Sequence, residues 1–335
     1  MFSTPTVAGD LLFVGSCSGM FYAFNKNTGQ PQWSYDIKAD GKQSNFHGDP
    51  LVTEDLVIIG TDGLEIGHIY AFERATGKVR WKHARTKGGA GIQGVNTDIL
   101  RLGSKVYGVA LGDELVCLDL ESGHPIWTFP SGFQRNEQRL SQAPAVGAGR
   151  VFFGGLDGTV YALDANSGKL IWKRDLGAPV STHVTLLGDD LYVGAASHLY
   201  RLNQKTGAVT TEFAAEGKLY GKPTIAGDSL LVFVNWLDSD SELISLDLSL
   251  KKVRWRQKSE PASWSSPRPY VVGSTAIVGN NIGEVFAFRL TDGSQQWSHK
   301  FKGEMKGIGN SEGVLYVGAL KGMIYAYSPE RQAAQ

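Results

Sequence analysis

The side chains best suited to chemistry lie in polar segments between short apolar runs. His47 and His183 each stand just before such a run. Histidine changes charge near neutral pH and can serve as acid, base or metal ligand. The two are far apart in the chain, so we do not expect them to pair directly. They are therefore candidate site residues, and a hydrogen-bonded polar lining is the structural alternative.

A charged segment contains Arg135, Glu137 and Arg139. Arginines in such a loop can hold a carboxylate or the charged strand of a partner. A solvated surface loop is the alternative, since runs of mixed charge are usually exposed.

Another segment has carboxylate side chains at alternate positions, Asp238, Asp240 and Glu242, a pattern that hard cations favour. It lacks the glycine and the distal glutamate of a calcium loop, so we expect no metal site. These three residues are the weak candidate. The GxGxxG match at residues 89–94 lacks the strand–helix context that phosphate binding requires, and it is discounted.

These residues are positioned by a repeat. "LDGTVYALDANSGKLIW", residues 156–172, is a turn, a strand rich in β-branched and aromatic residues, a second turn and the start of another strand. Similar segments end in tryptophan at five other places. Those tryptophans are Trp33, Trp81, Trp127, Trp255 and Trp297. We expect them, with Trp172, to pack the repeats, because tryptophan buries a large apolar surface.

A second element precedes each of these segments, as in "APAVGAGRVFFGG", residues 143–155. One unit is thus four short strands in about 42 residues, which is the signature of a propeller blade. The sequence predicts an all-β fold, an eight-bladed β-propeller of four-stranded antiparallel blades. The last blade either has three strands or is completed by a strand from a segment removed ahead of Met1. The predicted single domain spans residues 1–335, with blades at about 4–36, 48–85, 95–130, 143–176, 182–214, 222–258, 267–301 and 307–328.

Composition narrows the functional classes. The formal net charge is zero, which gives no basic face for nucleic acid. The apolar runs are too short to span a membrane, as in a soluble domain. Cys17 and Cys117 occupy different positions of their units, so we expect no disulfide. We expect a monomer.

The motif Ala162-x-Asp164-x-x-Ser167-Gly168-x-x-x-Trp172 resembles the repeat of pyrroloquinoline-quinone-type eight-bladed propellers, and the resemblance covers essentially the whole chain. That family includes quinoprotein alcohol dehydrogenases, sensor domains attached to kinases, and the propeller lipoprotein of the outer-membrane β-barrel assembly machinery. The sequence lacks the vicinal Cys-Cys pair of the dehydrogenases and any CxxCH haem site. It is therefore more similar to the assembly-machinery scaffold in the bacterial envelope.

This resemblance implies a non-catalytic scaffold that binds a protein or peptide partner through the loops at the channel mouth, with no cofactor. The alternative is an enzyme or small-ligand receptor that uses the channel mouth. Redox chemistry that depends on pyrroloquinoline quinone is a minor version of this alternative. We expect a periplasmic or extracytoplasmic location if a leader has been removed ahead of Met1, and a cytoplasmic one if Met1 is the natural start. We favour removal, since the tryptophan of the last unit would fall just beyond Gln335.

The candidate contact surface lies on loops that precede inner strands. Trp236 and Trp264 stand outside the repeat register, and loop aromatics are typical of binding surfaces. Covering the ends of their blades is the alternative. Tyr220 and Arg268 lie in equivalent segments and complete the candidate face.

Overall fold

The computed structural model of the chain describes residues 3–41, 43–63, 67–85, 93–94, 97–110, 114–129, 143–235, 240–259, 262–320 and 322–328. By its internal contacts the chain divides into two compact units. Residues 1–135 and 306–335 form the first unit, and residues 136–305 form the second.

The first three sheets are formed by strands β1 to β13, with one short 3₁₀ helix at Ile37–Asp40 between the first two sheets. The strands are β1 (Thr6–Ala8), β2 (Leu11–Gly15), β3 (Met20–Asn25), β4 (Pro31–Asp36), β5 (Gln43–Val52), β6 (Leu56–Gly63), β7 (Gly67–Glu73), β8 (Val79–Arg85), β9 (Gln93–Gly94), β10 (Leu100–Leu102), β11 (Lys105–Ala110), β12 (Glu114–Asp119) and β13 (Pro125–Phe129).

The next four sheets contain strands β14 to β29. Their strands are β14 (Ala145–Gly147), β15 (Arg150–Gly154), β16 (Thr159–Asp164), β17 (Leu170–Asp175), β18 (Thr185–Leu187), β19 (Asp190–Ala195), β20 (His198–Asn203), β21 (Val209–Ala214), β22 (Lys218–Ala226), β23 (Ser229–Asn235), β24 (Ser241–Asp247), β25 (Val253–Ser259), β26 (Tyr270–Val272), β27 (Thr275–Gly279), β28 (Glu284–Arg289) and β29 (Gln295–Lys300). The last sheet contains β30 (Met305–Ser311), β31 (Val314–Ala319) and β32 (Met323–Tyr327).

Each sheet is one antiparallel blade whose strands pair in chain order. The chain is therefore an all-β, eight-bladed propeller with three described strands in its last blade, which confirms the predicted fold class. The short strand β9 pairs with β6 in the second blade, so Gly94 of the discounted GxGxxG match lies in a strand.

The blades stack through their middle strands. Strand β15 is buried over four of its five residues, whereas the outer strand β17 is mostly exposed. One apolar cluster packs Phe152 and Val160 of blade four against Leu191 and Val193 of blade five. Alternation of side chains in the middle strands thus places an apolar layer on both faces of a blade.

The repeated turn between the third and fourth strands has one construction. In blade four the Asp164 carboxylate accepts the peptide N–H groups of Asn166 and Ser167, at 3.1 and 2.8 Å. The N–H of Gly168 donates to the carbonyl of Asp164 at 2.9 Å. Gly168 has φ of 69°, a conformation that glycine adopts without strain. This turn is the physical reason for the aspartate and glycine in the repeat.

The repeat tryptophans close the junctions between blades. Four indole N–H groups donate to a turn carbonyl of the next blade at 2.7–3.0 Å: Trp33 to Arg74, Trp81 to Leu120, Trp172 to Gln204 and Trp255 to Leu290. Each ring covers the turn glycine of that next blade, where an added Cβ would lie 2.5–2.7 Å from a ring atom. These glycines are Gly77, Gly123, Gly207 and Gly293. The glycine is thus required by the tryptophan of the preceding blade as well as by its own turn.

At the junction between blades five and six, neither the tryptophan nor the facing turn glycine is present. Thr211 replaces the tryptophan and pairs with Arg201, where blade four pairs Trp172 with Ala162. The facing turn has Lys251 in place of glycine and carries the buried Leu250 at φ of 61°. The Tyr192 hydroxyl of blade five donates to the carbonyl of Leu248 at 2.8 Å. The equivalent carbonyl is thus still satisfied, by a different side chain.

Candidate functional site

Backbone hydrogen bonds join the inner strand β22 of the second unit to the segments just before the inner strands β18 and β26. The N–H of His183, just before β18, donates to the carbonyl of Gly221 at 3.1 Å. The N–H of Lys222 donates to the carbonyl of Pro267, just before β26, at 2.9 Å. The structure therefore brings His183, Tyr220 and Arg268 to one edge of blades five to seven, which we call the inner-edge face.

Gly221 makes this close approach feasible. Its φ is 70°, and an added Cβ would lie 2.6 Å from the carbonyl oxygen of Pro267. A side chain at this position would separate the inner strands of blades six and seven. The segment "KLYGK", residues 218–222, combines this glycine with the neighbouring Tyr220 and Lys222. Sequence reasoning selected the segment but did not identify Gly221 or Lys222.

Tyr220 and Trp264 are coupled at this face. The Tyr220 hydroxyl donates to the carbonyl of Trp264 at 3.0 Å, and the N–H of Trp264 donates to Oγ of Ser241 at 2.5 Å. The Tyr220 ring stacks on Phe233, with centroids 5.3 Å apart. Burial raises the pKa of Tyr220, so its phenol stays protonated and keeps its donor role.

The Trp264 ring lies inside blade seven. Trp264 is only 3% exposed, and its ring makes edge contacts with Phe286 and Phe288 at centroid distances of 5.5 and 6.1 Å. Its indole nitrogen is buried with no hydrogen-bond partner among the described residues. This geometry matches the alternative in which the side chain covers its blade. Trp236 lies outside the described residues, so a binding role for the pair stays a prediction.

Three basic residues lie in or just before successive inner strands at this face, and we call them the basic row: His183, Lys222 and Arg268. The Arg268 guanidinium lies 5.2 Å from the ring centroid of Tyr270, within cation–π range. A guanidinium presents its donors in a planar fork that matches a carboxylate.

The weak metal candidate is only partly described. Glu242 is 2% exposed and accepts from Nη1 of Arg256 at 2.8 Å, which neutralises its charge inside the blade. Asp240 begins the described part of this segment, and Asp238 lies outside it. Within the described ranges, no three His, Cys, Asp or Glu side chains come together as metal ligands.

Most of the other predicted candidates lie outside what the structure describes. This is the case for Arg135, Glu137 and Arg139 and for the side chain of His47, whose backbone lies in β5 opposite Gly60. These candidates stay predictions.

Sequence reasoning missed two aspartates in the first unit. The N–H of Thr4 donates to Oδ1 of Asp49, and the N–H of Asp49 donates to Oδ1 of Asp98, both at 2.9 Å. They link the inner strands of blades one to three. The Asp49-Pro50 pair before an apolar run is the sequence signal that could have identified the first of them.

The thiols do not resemble a redox pair. Cys17 lies in blade one and Cys117 in β12 of blade three, and they form no disulfide with each other. Burial raises the pKa of Cys117 to about 11, so its thiol is protonated at neutral pH. These two positions do not provide the adjacent thiols of the quinone enzymes. No helix in the described part of the chain is long and apolar enough to cross a membrane.

The chain matches a family model described as outer membrane protein assembly factor BamB, over residues 2–158 and again over 156–326. It is similar to the outer membrane protein assembly factor BamB of Shewanella oneidensis, with 25% identity over 240 residues that cover 69% of this chain and 58% of the relative. The matched part spans 58–61% of the length of the first three curated relatives.

Two solved structures share the fold. The crystal structure of BamB from Moraxella catarrhalis has a TM-score of 0.77 and 19% identity, covering 97% of this chain and 96% of that one. The quinohemoprotein alcohol dehydrogenase ADHIIG from Pseudomonas putida has a TM-score of 0.74 and 13% identity, covering 94% of this chain and 69% of that one. At these identities the likeness is one of fold.

Proposed function

The chain belongs to the family of the outer membrane protein assembly factor BamB, and from this membership we propose that it is a non-catalytic scaffold that binds a protein partner during outer membrane protein assembly. The observation that carries the proposal is the family match along both halves of the chain. The names of the relatives support an extracytoplasmic location in the bacterial envelope.

We place partner binding at the inner-edge face of blades five to seven. There, backbone hydrogen bonds fix His183, Tyr220 and Arg268 on one edge, so the face is preorganised and loses little entropy on binding. The basic row favours a partner segment that carries carboxylates. Tyr270 and Tyr220 supply aromatic surface beside these charges, a combination that is typical of interface anchors.

The proposal predicts saturable binding of a urea-unfolded outer membrane β-barrel protein, labelled with a fluorophore and diluted into native buffer. We expect a dissociation constant in about the micromolar range. Arg268→Glu should weaken binding about tenfold, because like charges then face each other across the contact. Fluorescence anisotropy at two salt concentrations measures both effects.

Lys169→Glu is the matched control. Lys169 is an exposed lysine on the turn between β16 and β17, so its reversal changes net charge by the same amount away from the inner-edge face. Its binding should equal that of the wild type. Absence of binding to the unfolded protein, or equal weakening by both reversals, would show that this face is not the binding surface.

A further inference from the structure

The outer strand of blade six and the turn before it carry a concentration of positive charge. Residues 251–258 read KKVRWRQK, with five basic residues and no acidic one, in a chain whose formal net charge is zero. All five are exposed: Lys251, Lys252, Arg254, Arg256 and Lys258. These residues 251–258, which we call the basic segment, therefore form a local positive surface on the second unit.

The basic residues within β25 share one side of the strand. Arg254, Arg256 and Lys258 stand at alternate positions, and side chains at alternate positions of a strand point to the same face. Because a strand rises about 3.3 Å per residue, the three charges extend over about 13 Å. Strand β25 is last in the pairing order of its sheet, so these charges lie on the outermost strand of blade six.

The turn before β25 holds two further lysines at the surface. The N–H groups of Lys251 and Lys252 donate to Oδ1 of Asp247, at 2.9 and 2.7 Å. These bonds use the backbone only, and neither ammonium group makes an ion pair with a described residue. Lys251 and Lys252, which we call the turn lysines, therefore present their charges to the surroundings.

Lys251 occupies the position that other blades reserve for the turn glycine. At Gly77 and Gly207, an added Cβ would lie 2.5 and 2.6 Å from the tryptophan ring of the preceding blade. The junction between blades five and six has Thr211 in place of that tryptophan, so no indole ring covers the turn. The loss of the tryptophan therefore permits a lysine at this position.

The two arginines of the basic segment are engaged by carboxylates of the same blade. Nη1 and Nη2 of Arg254 donate to Oδ1 and Oδ2 of Asp228 at 2.9 and 2.7 Å, and Nη1 of Arg256 donates to Oε2 of Glu242 at 2.8 Å. These pairs use the directional donors of the guanidinium groups. The turn lysines contribute ammonium groups instead, which act as point charges without a fixed bonding direction.

The basic segment offers no large apolar anchor to a protein partner. Trp255 is 7% exposed and Leu250, just before the segment, is 2% exposed, while Val253 is half-buried. Protein interfaces usually depend on an aromatic or apolar anchor at their centre. A positive surface without such an anchor matches a layer of mobile anionic headgroups, which lysines bind through electrostatic attraction alone.

We propose that the basic segment docks the chain on a bilayer of anionic phospholipids, with the turn lysines facing the phosphate groups. Ammonium and guanidinium groups bind phosphate oxygens through charge-assisted hydrogen bonds. Clusters of about four to eight basic residues beside a membrane are typical of binding to anionic lipids. The inference rests on the proposed function for the choice of a membrane, because that function is one in outer membrane assembly.

Co-sedimentation of the full chain with lipid vesicles tests the proposal. We expect binding to vesicles of phosphatidylglycerol and none to vesicles of phosphatidylcholine, whose headgroups carry no net charge. Each basic residue near an anionic surface strengthens binding about fivefold, so the double variant Lys251→Gln, Lys252→Gln should bind about thirtyfold more weakly. Added salt should weaken the binding of the wild type, because it screens the attraction.

The double variant Lys78→Gln, Lys169→Gln is the matched control. Lys78 and Lys169 are exposed and stand three residues before the repeat tryptophan of their blades, as Lys252 does. The control removes the same charge from the equivalent turns of blades two and four, and it should bind like the wild type. Both double variants should keep the melting temperature of the wild type, since all four lysines are exposed.

Absence of wild-type binding to phosphatidylglycerol vesicles would overturn the inference, as would equal weakening by the two double variants. Inorganic phosphate that displaces the chain more effectively than chloride at equal ionic strength would also overturn it, because this result indicates a site for a single phosphate group. A third contrary result is weaker binding of the unfolded outer membrane protein to the Lys251→Gln, Lys252→Gln variant without any vesicle binding, which would assign the segment to an acidic protein partner.

The failure of this inference can be distinguished from the failure of the proposed function. Binding of the unfolded outer membrane protein that depends on Arg268, without vesicle binding, would show that only this inference has failed. Vesicle binding that depends on the turn lysines, without binding of the unfolded protein, would support the basic segment and contradict the proposed function.

Discussion

Two neighbouring blade junctions in the second unit use different side chains to satisfy the carbonyl at the equivalent position of the facing turn. Between blades four and five, the indole N–H of Trp172 donates to Gln204 and the ring covers Gly207. Between blades five and six, the phenol of Tyr192 donates to Leu248. The second junction lacks both the tryptophan and the glycine. This joint loss indicates that the tryptophan of one blade and the turn glycine of the next blade act as one packing unit.

This comparison explains why the tryptophan and the glycine of the repeat are lost together at the junction between blades five and six. A tryptophan opposite Lys251 would have no bare glycine to cover, and a glycine opposite Thr211 would leave space unfilled. In blade six the turn itself fills that space with the buried Leu250, which is held in a left-handed conformation. The packing of Leu250 offsets a backbone strain of about 1–2 kcal/mol.

The largest expected effect is that of Trp172→Ala. It removes a large ring from the junction and one of the two donors to the carbonyl of Gln204, which also accepts from Nη1 of Arg150 at 3.2 Å. The free energy of unfolding should fall by about 3–5 kcal/mol, mainly from the lost packing. Thr211→Ala, the same position in the next blade, should lower it by less than about 1 kcal/mol. Urea unfolding followed by fluorescence and circular dichroism gives both values. Similar losses would show that the junctions are not built differently.

A smaller effect is expected for Gly207→Ala, about 2–3 kcal/mol, because left-handed strain is added to a clash with the Trp172 ring. Gly188→Ala is the control: its φ is 57°, no heavy atom of the described residues lies within 4 Å of an added Cβ, and only the strain of about 1 kcal/mol should remain. In the background of Trp172→Ala, Gly207→Ala should cost no more than this control. An unchanged cost in that double variant would contradict the pairing of the two residues.

The smallest expected effect is that of Tyr192→Phe, about 1 kcal/mol from the lost hydrogen bond at neutral pH. It also has a pH signature. Burial raises the pKa of Tyr192 above its ordinary value of 10.0, so its contribution to stability is full below pH 10 and is lost as pH rises through the raised value. The difference in melting temperature between wild type and Tyr192→Phe should therefore shrink above pH 10. A constant difference would mean that the phenol does not titrate with unfolding.

The sequence was sufficient for the architecture because its signals are local. The apolar run of β16, rich in β-branched and aromatic residues, and the Asp164–Gly168 turn depend on near neighbours, and their repetition predicted eight blades. The partner of each tryptophan was not predictable from one copy of the repeat, because Trp172 contacts Gly207 in the next copy. The sequence signal that would have predicted this contact is a tryptophan in one unit together with a glycine in the turn of the following unit.

The candidate site was only partly predictable, for the same reason. Backbone hydrogen bonds bring the segments of His183, Tyr220 and Arg268 together, but their role in binding stays a prediction. The burial of Trp264 depends on Phe286 and Phe288, which follow it on another strand of the blade. Its place outside the repeat register carried no information about those contacts.

Hydrogen exchange of the wild type and of Trp172→Ala tests the central claim most directly. The claim is that the tryptophan of one blade and the turn glycine of the next blade form one packing unit. We predict faster exchange in Trp172→Ala in the turn from Asn203 to Gly207, which lies in the next blade. Faster exchange confined to β17, or no change in that turn, would contradict the claim.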